Sequence, residues 1–330
     1  MQKTALYLKD IGKNFYLTKG ITDVPEPAPR HVIIKIHAAG INPVDAKLAI
    51  AGHPQWRLPF IPGLDGAGEI VQVGEDVSLV GTGDRVAWHG NVICGGAFAT
   101  YIELPEHVLF KIPEELPASI AASVPCAGMT AWLSLTHRLN LKAGMSILIE
   151  AGSGGVGGFA IQIAKMRKLR VITTCSPKNY GYVAALGADH ILNYKHPQLE
   201  KEILHANDNE RLDAVLDTVG YSASPRNISL LKHEGQYASL LGIPHGNDAD
   251  IFRVAPTIHV IALGGAYTSG NFEAQQRLAN MGTEMFSAIA KGTIRPLPVT
   301  EIPFTDTAVT NAMHTQLQGH IKGKQVITIA

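Results

Sequence analysis

The run Met145-Ser146-Ile147-Leu148-Ile149-Glu150-Ala151, continued by Gly152-Ser153-Gly154-Gly155-Val156-Gly157, decides the fold. Its first half is an apolar stretch suited to a strand covered on both faces. From Gly157 to Arg170 the pattern becomes helical, with Phe159, Ile161, Ile163, Ala164 and Met166 available for a buried side. Strand, glycine turn and helix in that order are the context a G-x-G-x-x-G fingerprint requires. Glycine allows the tight turn and a close backbone approach to a pyrophosphate, and the helix start adds unpaired N–H groups and partial positive charge. The stretch is therefore read as a dinucleotide site formed by Gly152, Ser153, Gly154, Gly155, Val156 and Gly157.

The next strand indicates which dinucleotide. Arg170 to Thr174 reads as that strand, and Cys175-Ser176-Pro177-Lys178-Asn179-Tyr180 follows it. A site for NAD places an Asp or Glu there to accept from the ribose 2′-hydroxyl. Here Ser176 and Lys178 offer a hydroxyl and an ammonium, and no acid competes with a 2′-phosphate. The expectation is NADP(H), with Lys178 as a solvated residue near a helix start the alternative.

Outward from this turn, 330 residues suffice for two domains. Lys plus Arg, at 28, are matched by 28 Asp plus Glu, which gives no reason to expect nucleic acid or an anionic membrane as partner. No apolar run approaches the ~20 residues of a membrane span. Met1 to Tyr16 is charged and strand-like, without the apolar core of a signal peptide. Cys94, Cys126 and Cys175 are too few and scattered for a disulfide framework or zinc cluster, so a reducing cytoplasm is expected.

The first third is strand-rich and punctuated by Gly and Pro, with strands expected at Val32–His37, Gly68–Gly74 and Gly83–Trp88. Alternating strands and helices then run from about Ala118 to Leu263. Six strands, at 145–151, 170–174, 189–192, 213–217, 235–240 and 257–262, describe a doubly wound parallel sheet in an α/β protein. Gly264 and Gly265 mark the exit. A helix over 272–291 and a final strand ending in Gln325-Val326-Ile327-Thr328-Ile329 complete the chain.

Several segments in order are similar to one known family. They are Gly40-Ile41-Asn42-Pro43-Val44-Asp45, Pro62-Gly63-Leu64-Asp65-Gly66-Ala67-Gly68, Gly83-Asp84-Arg85-Val86, Gly128-Met129-Thr130-Ala131-Trp132, the glycine turn, and Leu186-Gly187-Ala188-Asp189. Together they resemble the zinc-independent quinone oxidoreductase branch of the medium-chain dehydrogenase/reductase superfamily. The resemblance implies a GroES-like, β-rich catalytic domain over 1–124 and 268–330, and a Rossmann dinucleotide-binding domain over 125–267. It also implies an active site in the cleft beside the Rossmann domain, a homodimer, and hydride transfer from NADPH to a quinone or α,β-unsaturated carbonyl.

The zinc-using branch carries a metal-binding Cys where this chain has Asn42, and Gly-His-Glu where it has Gly63-Leu64-Asp65. Catalytic zinc needs about three protein ligands plus an open position. The lobe with four close cysteines is missing too, since that stretch holds only Cys94, and the fourteen histidines lack ligand-like spacing. They are read as surface or packing residues, and no metal is expected.

Hydride transfer asks the protein mainly for alignment and electrostatics. Asn42, carried over from the family motif, is the candidate donor to a substrate carbonyl. Asn42-Pro43 is equally an N-cap with proline at N1, opening a short helix over 43–50. Where related reductases often have a tyrosine, five positions on, this chain has Lys47. Lys47 could polarise a carbonyl or donate a proton, or be a solvated helix residue; Asp45 reads as a first-turn acid or a partner of Lys47 rather than a base. Thr130 matches a family position near the nicotinamide or is simply a helix residue, and Tyr194 matches one near the adenosine end or packs at a strand end. Gly242, after the fifth strand, falls at the carboxyl edge of the sheet, where such folds bind ligands. Trp56 and Phe60 could wall a substrate pocket.

The reading is an NADPH-dependent, zinc-independent reductase of quinones or enones. Its rivals are a trans-acting enoyl reductase, a non-catalytic NADPH-binding sensor or structural protein, and a zinc alcohol dehydrogenase.

Overall fold

The computed structural model describes every residue except His320 and Ala330. Two compact units emerge. The first comprises Met1–Met129, Leu263–Gly292 and the chain from Pro296 onward; the second is Thr130–Ala262 with Thr293–Arg295.

In the first unit, β1 (Gln2–Leu8) and β2 (Leu17–Asp23) form an antiparallel ribbon. The main sheet uses β3 (His31–Ile41), β4 (Asp65–Val73), β5 (Arg85–His89), β6 (Tyr101–Pro105) and β7 (Phe110–Lys111). All of β3 but Lys35 is at least half-buried, because it lies centrally and pairs with β4 and β6. Leu6, Ile34, Ile36, Trp88 and Phe98 anchor the core.

The second unit holds six parallel strands: β8 (Ser146–Ile149), β9 (Arg170–Cys175), β10 (His190–Asn193), β11 (Leu212–Asp217), β12 (Leu231–Ser239) and β13 (Thr257–Val260). Their order, β10-β9-β8-β11-β12-β13, is that of a doubly wound dinucleotide-binding sheet. Every strand overlaps its expected region, though β12 begins at Leu231, ahead of the expected 235. The first is shorter than 145–151, because Ala151 adopts a left-handed φ of 51° that ends extended geometry. The helix after the turn begins earlier than expected, at Gly155, and ends at Met166. Phe159, Ile161, Ile163 and Ala164 are buried, but Met166 turns outward.

The chain then rejoins the first sheet through β14 (Val299–Pro303) and β15 (Lys324–Thr328). β15 lies antiparallel beside β3 with Gln325 opposite Ile41; Gly40 stands opposite Asp65, and Asp65 opposite His89. That register gathers Ile41, Asp65, His89 and Lys324 at one end of the sheet, although nearly 300 positions separate the first from the last.

Candidate active site

In the second unit, the glycine turn is fixed by its neighbours. Gly152 N–H donates to the Thr174 carbonyl at 2.9 Å, and Ala151 N–H to Thr174 Oγ1 at 3.2 Å. A Cβ on Gly152 would meet Thr173 Oγ1 at 2.2 Å, and one on Gly157 would meet the Ala151 carbonyl oxygen at 2.4 Å. Those two glycines are demanded by packing. Gly154 differs: its Cβ would find nothing nearer than 3.4 Å, so a ligand backbone can approach there. Gly154 caps the helix Gly155–Met166 without a side chain, leaving the first-turn N–H groups of Gly155, Val156 and Gly157 to face an anion.

Around this turn the parallel strands bring their carboxyl ends together. Ser153 Oγ accepts from Asn179 Nδ2 at 3.0 Å, which ties the segment holding Ser176 and Lys178 to the glycine loop. Lys178 is exposed. Cys175 pairs in register with Asn193, the residue before Tyr194, and Lys195 Nζ lies 5.7 Å from the Tyr194 ring centroid. Gly242 follows β12 with a φ of 94°. Buried Asp217 shapes the turn after β11, accepting from Val219 N–H and Gly220 N–H at 2.8 Å each. Thr130 is buried in the helix Pro125–Trp132, its carbonyl accepting from Ser134 Oγ at 2.7 Å. Sequence reasoning did not single out Asn179 or Lys195.

The first unit holds a buried polar cluster at the sheet end described above. Asn42 precedes α1 (Pro43–Ala51) and makes no side-chain cap hydrogen bond, although it and Asp45 stand in the relation of a capping box. Asn42 N–H donates to Asp45 Oδ2 at 2.8 Å, while its amide faces inward. Nδ2 donates to Asp65 Oδ2 at 2.8 Å, and Oδ1 accepts from Lys324 Nζ. Asp65 Oδ1 pairs with His89 Nδ1 at 2.8 Å, and Cys126 N–H donates to Asp65 Oδ2 at 3.0 Å. The Asn42 amide is thus held by two side chains, Asp65 and Lys324, at the start of α1. Lys47 behaves otherwise. Two positions from Asp45 on a helix is about 200° of rotation, so Asp45 is buried and Lys47 exposed, and they do not pair. Asp65, His89, Cys126 and Lys324 were not recognised from sequence as one group.

Beside the cluster lies a small pocket lined by Asp45, Leu48, Trp56, Phe60, Leu64, Asn91 and Val92, among others. Trp56 stacks on Phe60 with centroids 3.9 Å apart, and its indole N–H donates to the Val92 carbonyl at 2.6 Å. The aromatic pair lines this small pocket, with one acid in the lining.

Comparison with known proteins fits this arrangement. Residues 28–114 match the alcohol dehydrogenase GroES-like domain, and residues 155–285 the domain described as zinc-binding dehydrogenase. A quinone oxidoreductase of Sus scrofa is 31% identical over 79% of both chains. A chloroplastic quinone-oxidoreductase homolog of Spinacia oleracea is 39% identical over 53% of this chain and 56% of its own length, so the chain spans little more than half of that relative. The solved quinone oxidoreductase of Coxiella burnetii covers 100% of both chains with a TM-score of 0.82 and 27% identity. The chain belongs to the quinone oxidoreductase branch of the medium-chain dehydrogenase/reductase superfamily.

Other members of this superfamily hold zinc, and Asp65, His89 and Cys126 each bring one potential ligand atom within 4.8 Å of the others. The donors do not fit the ion. Both Asp65 oxygens already have hydrogen-bond partners in Asn42 Nδ2, His89 Nδ1 and the Cys126 N–H. An ammonium, Lys324, already supplies positive charge to the cluster. The histidine expectation also needs refinement, since His89 is buried and bonded to a carboxylate rather than merely packed.

Asp45 carries the clearest pH consequence in this quinone oxidoreductase relative. Burial pushes its carboxyl up to about 7; the Asn42 N–H opposes that, Asp65 adds to it, and Lys324 opposes it. Between about pH 4 and 7 the folded chain holds a proton at Asp45 that the unfolded chain releases, so this group's contribution to stability falls as pH rises and levels off above 7. Asp45→Asn removes that slope. The variant is expected to gain up to about 4 kcal/mol relative to wild type between pH 4 and pH 8. Urea unfolding at both pH values measures the difference, and an equal gap at each would contradict it.

Proposed function

We propose that this chain is an NADPH-dependent, zinc-independent reductase of quinones or α,β-unsaturated carbonyls. The observation that carries the reading is the glycine turn. Its open Gly154 face and first-turn N–H groups fit a pyrophosphate, and the segment holding Ser176, Lys178 and Asn179, tied to the loop through Asn179, itself carries no acid against a 2′-phosphate. The reduced nicotinamide, when bound, supplies the hydride. The protein's own part is to hold the carbonyl. Asn42, its Oδ1 fixed by Lys324, retains a second Nδ2 hydrogen for the oxygen on which negative charge builds. The pig relative's name supports a quinone acceptor.

The remaining parts of the proposal are coarser. Three unpaired cysteines accord with a reducing, cytoplasmic setting. Among the described residues, no helix is long and apolar enough to cross a membrane. The edge strand β13 exposes Ile258 and Val260, which suits sheet continuation into a second copy and hence a homodimer.

NADPH oxidation with a panel of quinones and enones tests the activity. Turnover above background supports it, and tight NADPH binding without turnover would make the chain a cofactor-binding protein instead. Lys178→Ala is expected to weaken NADPH by about 1.5–3 kcal/mol, as for a charged hydrogen bond, and to leave NADH nearly unchanged. Calorimetric titration with both coenzymes decides, because equal losses would remove Lys178 from the phosphate site.

A further inference from the structure

We propose that the ion pair of Glu150 with Arg226, acting through Thr174, holds the glycine turn in the form that grips a pyrophosphate. This rests on the coenzyme-binding reading above and names the side chains that set the turn. They are positioning residues, which reach the coenzyme only through the backbone they hold.

Glu150 stands immediately before the turn, at the end of β8. A carboxylate so close to a loop that receives a doubly anionic group works against binding unless its charge is met. Here the residue is 2% exposed, and both side-chain oxygens have partners: Oε1 accepts from Arg226 Nη2 and Oε2 from Thr174 Oγ1. Its backbone is held as well, the N–H donating to the Leu216 carbonyl at 3.2 Å and the carbonyl accepting from Thr218 Oγ1 at 3.0 Å. Arg226 is aimed in turn by completely buried Asn227, whose Oδ1 accepts from Nε at 3.2 Å and from Nη2 at 2.9 Å. The guanidinium thus neutralises the acid at the place where it is buried.

Thr174 carries this constraint to the turn. β8 and β9 pair in parallel with Ile149 opposite Thr173, which brings the next residues, Glu150 and Thr174, into contact. A threonine hydroxyl has one hydrogen and spare lone pairs. Its hydrogen goes to Glu150, and the same oxygen accepts from Ala151 N–H at 3.2 Å. Ala151 has a φ of 51°, a left-handed conformation that a residue with a Cβ keeps only where its surroundings impose it. The Ala151 carbonyl then accepts from Gly154 N–H at 3.0 Å, which carries the constraint to the residue that caps the helix Gly155–Met166. Carboxylate, hydroxyl, Ala151 and Gly154 form one chain, and its far end is the anion-binding face.

The test uses full-length protein and Thr174→Val, which keeps the side-chain shape and removes the hydroxyl. NADPH and NADH, which share the pyrophosphate, are both expected to bind about tenfold more weakly, the size of one hydrogen bond to a charged group. Binding of 2′-AMP, which has a 2′-phosphate and no pyrophosphate, is expected to match wild type. Thr174→Ser restores the hydroxyl and is expected to restore both coenzyme affinities. Without coenzyme, the Ala151 amide is expected to exchange its hydrogen at least about tenfold faster in Thr174→Val than in wild type. Glu150→Gln, which cannot serve Arg226 and Thr174 as a carboxylate does, supplies a second break in the chain. It is expected to weaken both coenzymes too, and the double variant to lose no more than the weaker-binding single. The proposal is overturned if Thr174→Val binds both coenzymes as wild type does, if Thr174→Ser fails to rescue, if 2′-AMP weakens equally, if the two losses add, or if Ala151 exchange is unchanged. A wild-type protein that binds neither coenzyme would refute the glycine-turn reading itself, and the exchange measurement would still decide whether this chain of bonds holds the turn.

Discussion

Asp65→Ala is expected to lower folding stability by about 3–5 kcal/mol, the range for removing one partner of a buried ion pair. Three groups lose a partner at once, the Asn42 amide, His89 Nδ1 and the Cys126 N–H, and Lys324, bonded to Asn42, loses a nearby counter-charge. Asp65 is completely buried, so water does not compensate directly. Urea unfolding at pH 7 measures the loss, and a cost below about 1 kcal/mol, the size of an exposed pair, would mean the cluster is hydrated and loosely held. Combining Asp65→Ala with Lys324→Met separates charge from shape. The double variant is expected to be less destabilised than the sum of the two singles, because removing both charges leaves no uncompensated ion.

The second large effect belongs to the glycine turn. Gly157→Ala puts a Cβ 2.4 Å from the Ala151 carbonyl oxygen and 2.8 Å from Gly152 Cα, both backbone atoms with no rotamer to change. The turn must open to admit the methyl group, and the first-turn N–H groups then no longer converge. A loss of about 1–3 kcal/mol in stability is expected from such overpacking. NADPH affinity is expected to fall at least about a hundredfold, near 2.8 kcal/mol. Gly154→Ala is the informative contrast, since its Cβ meets no protein atom closer than 3.4 Å. That variant should fold like wild type and lose affinity only through contact with the coenzyme. Thermal unfolding and fluorescence titration of both proteins would distinguish them, and equal behaviour would contradict the assigned roles.

The Rossmann half was legible because its signals are local. Apolar runs of strand length, the glycine turn and the following helical period all lie within about thirty residues, and periodicity reports such features directly. The polar cluster was hidden because sheet pairing assembles it. Asn42, Asp65, His89, Cys126 and Lys324 come from three strands, a helix and a helix start, and no local pattern joins them. One clue was available in Lys324, a charge at the head of an otherwise buried terminal strand. A second was the helix period over 43–51, where buried Asp45, Ala46 and Ala49 place Lys47 on the outer face. Family analogy drew attention to Lys47, which the structure places on the exposed face of α1 opposite buried Asp45.

The most direct test of the central claim, that the glycine turn grips a dinucleotide with room and charge for a 2′-phosphate, is calorimetric titration of the wild-type protein with NADPH and with NADH under one buffer. The account predicts one site per chain and NADPH bound at least about tenfold more tightly, roughly 1.4 kcal/mol. Absence of binding by both coenzymes, or NADH bound as tightly as NADPH, would contradict it.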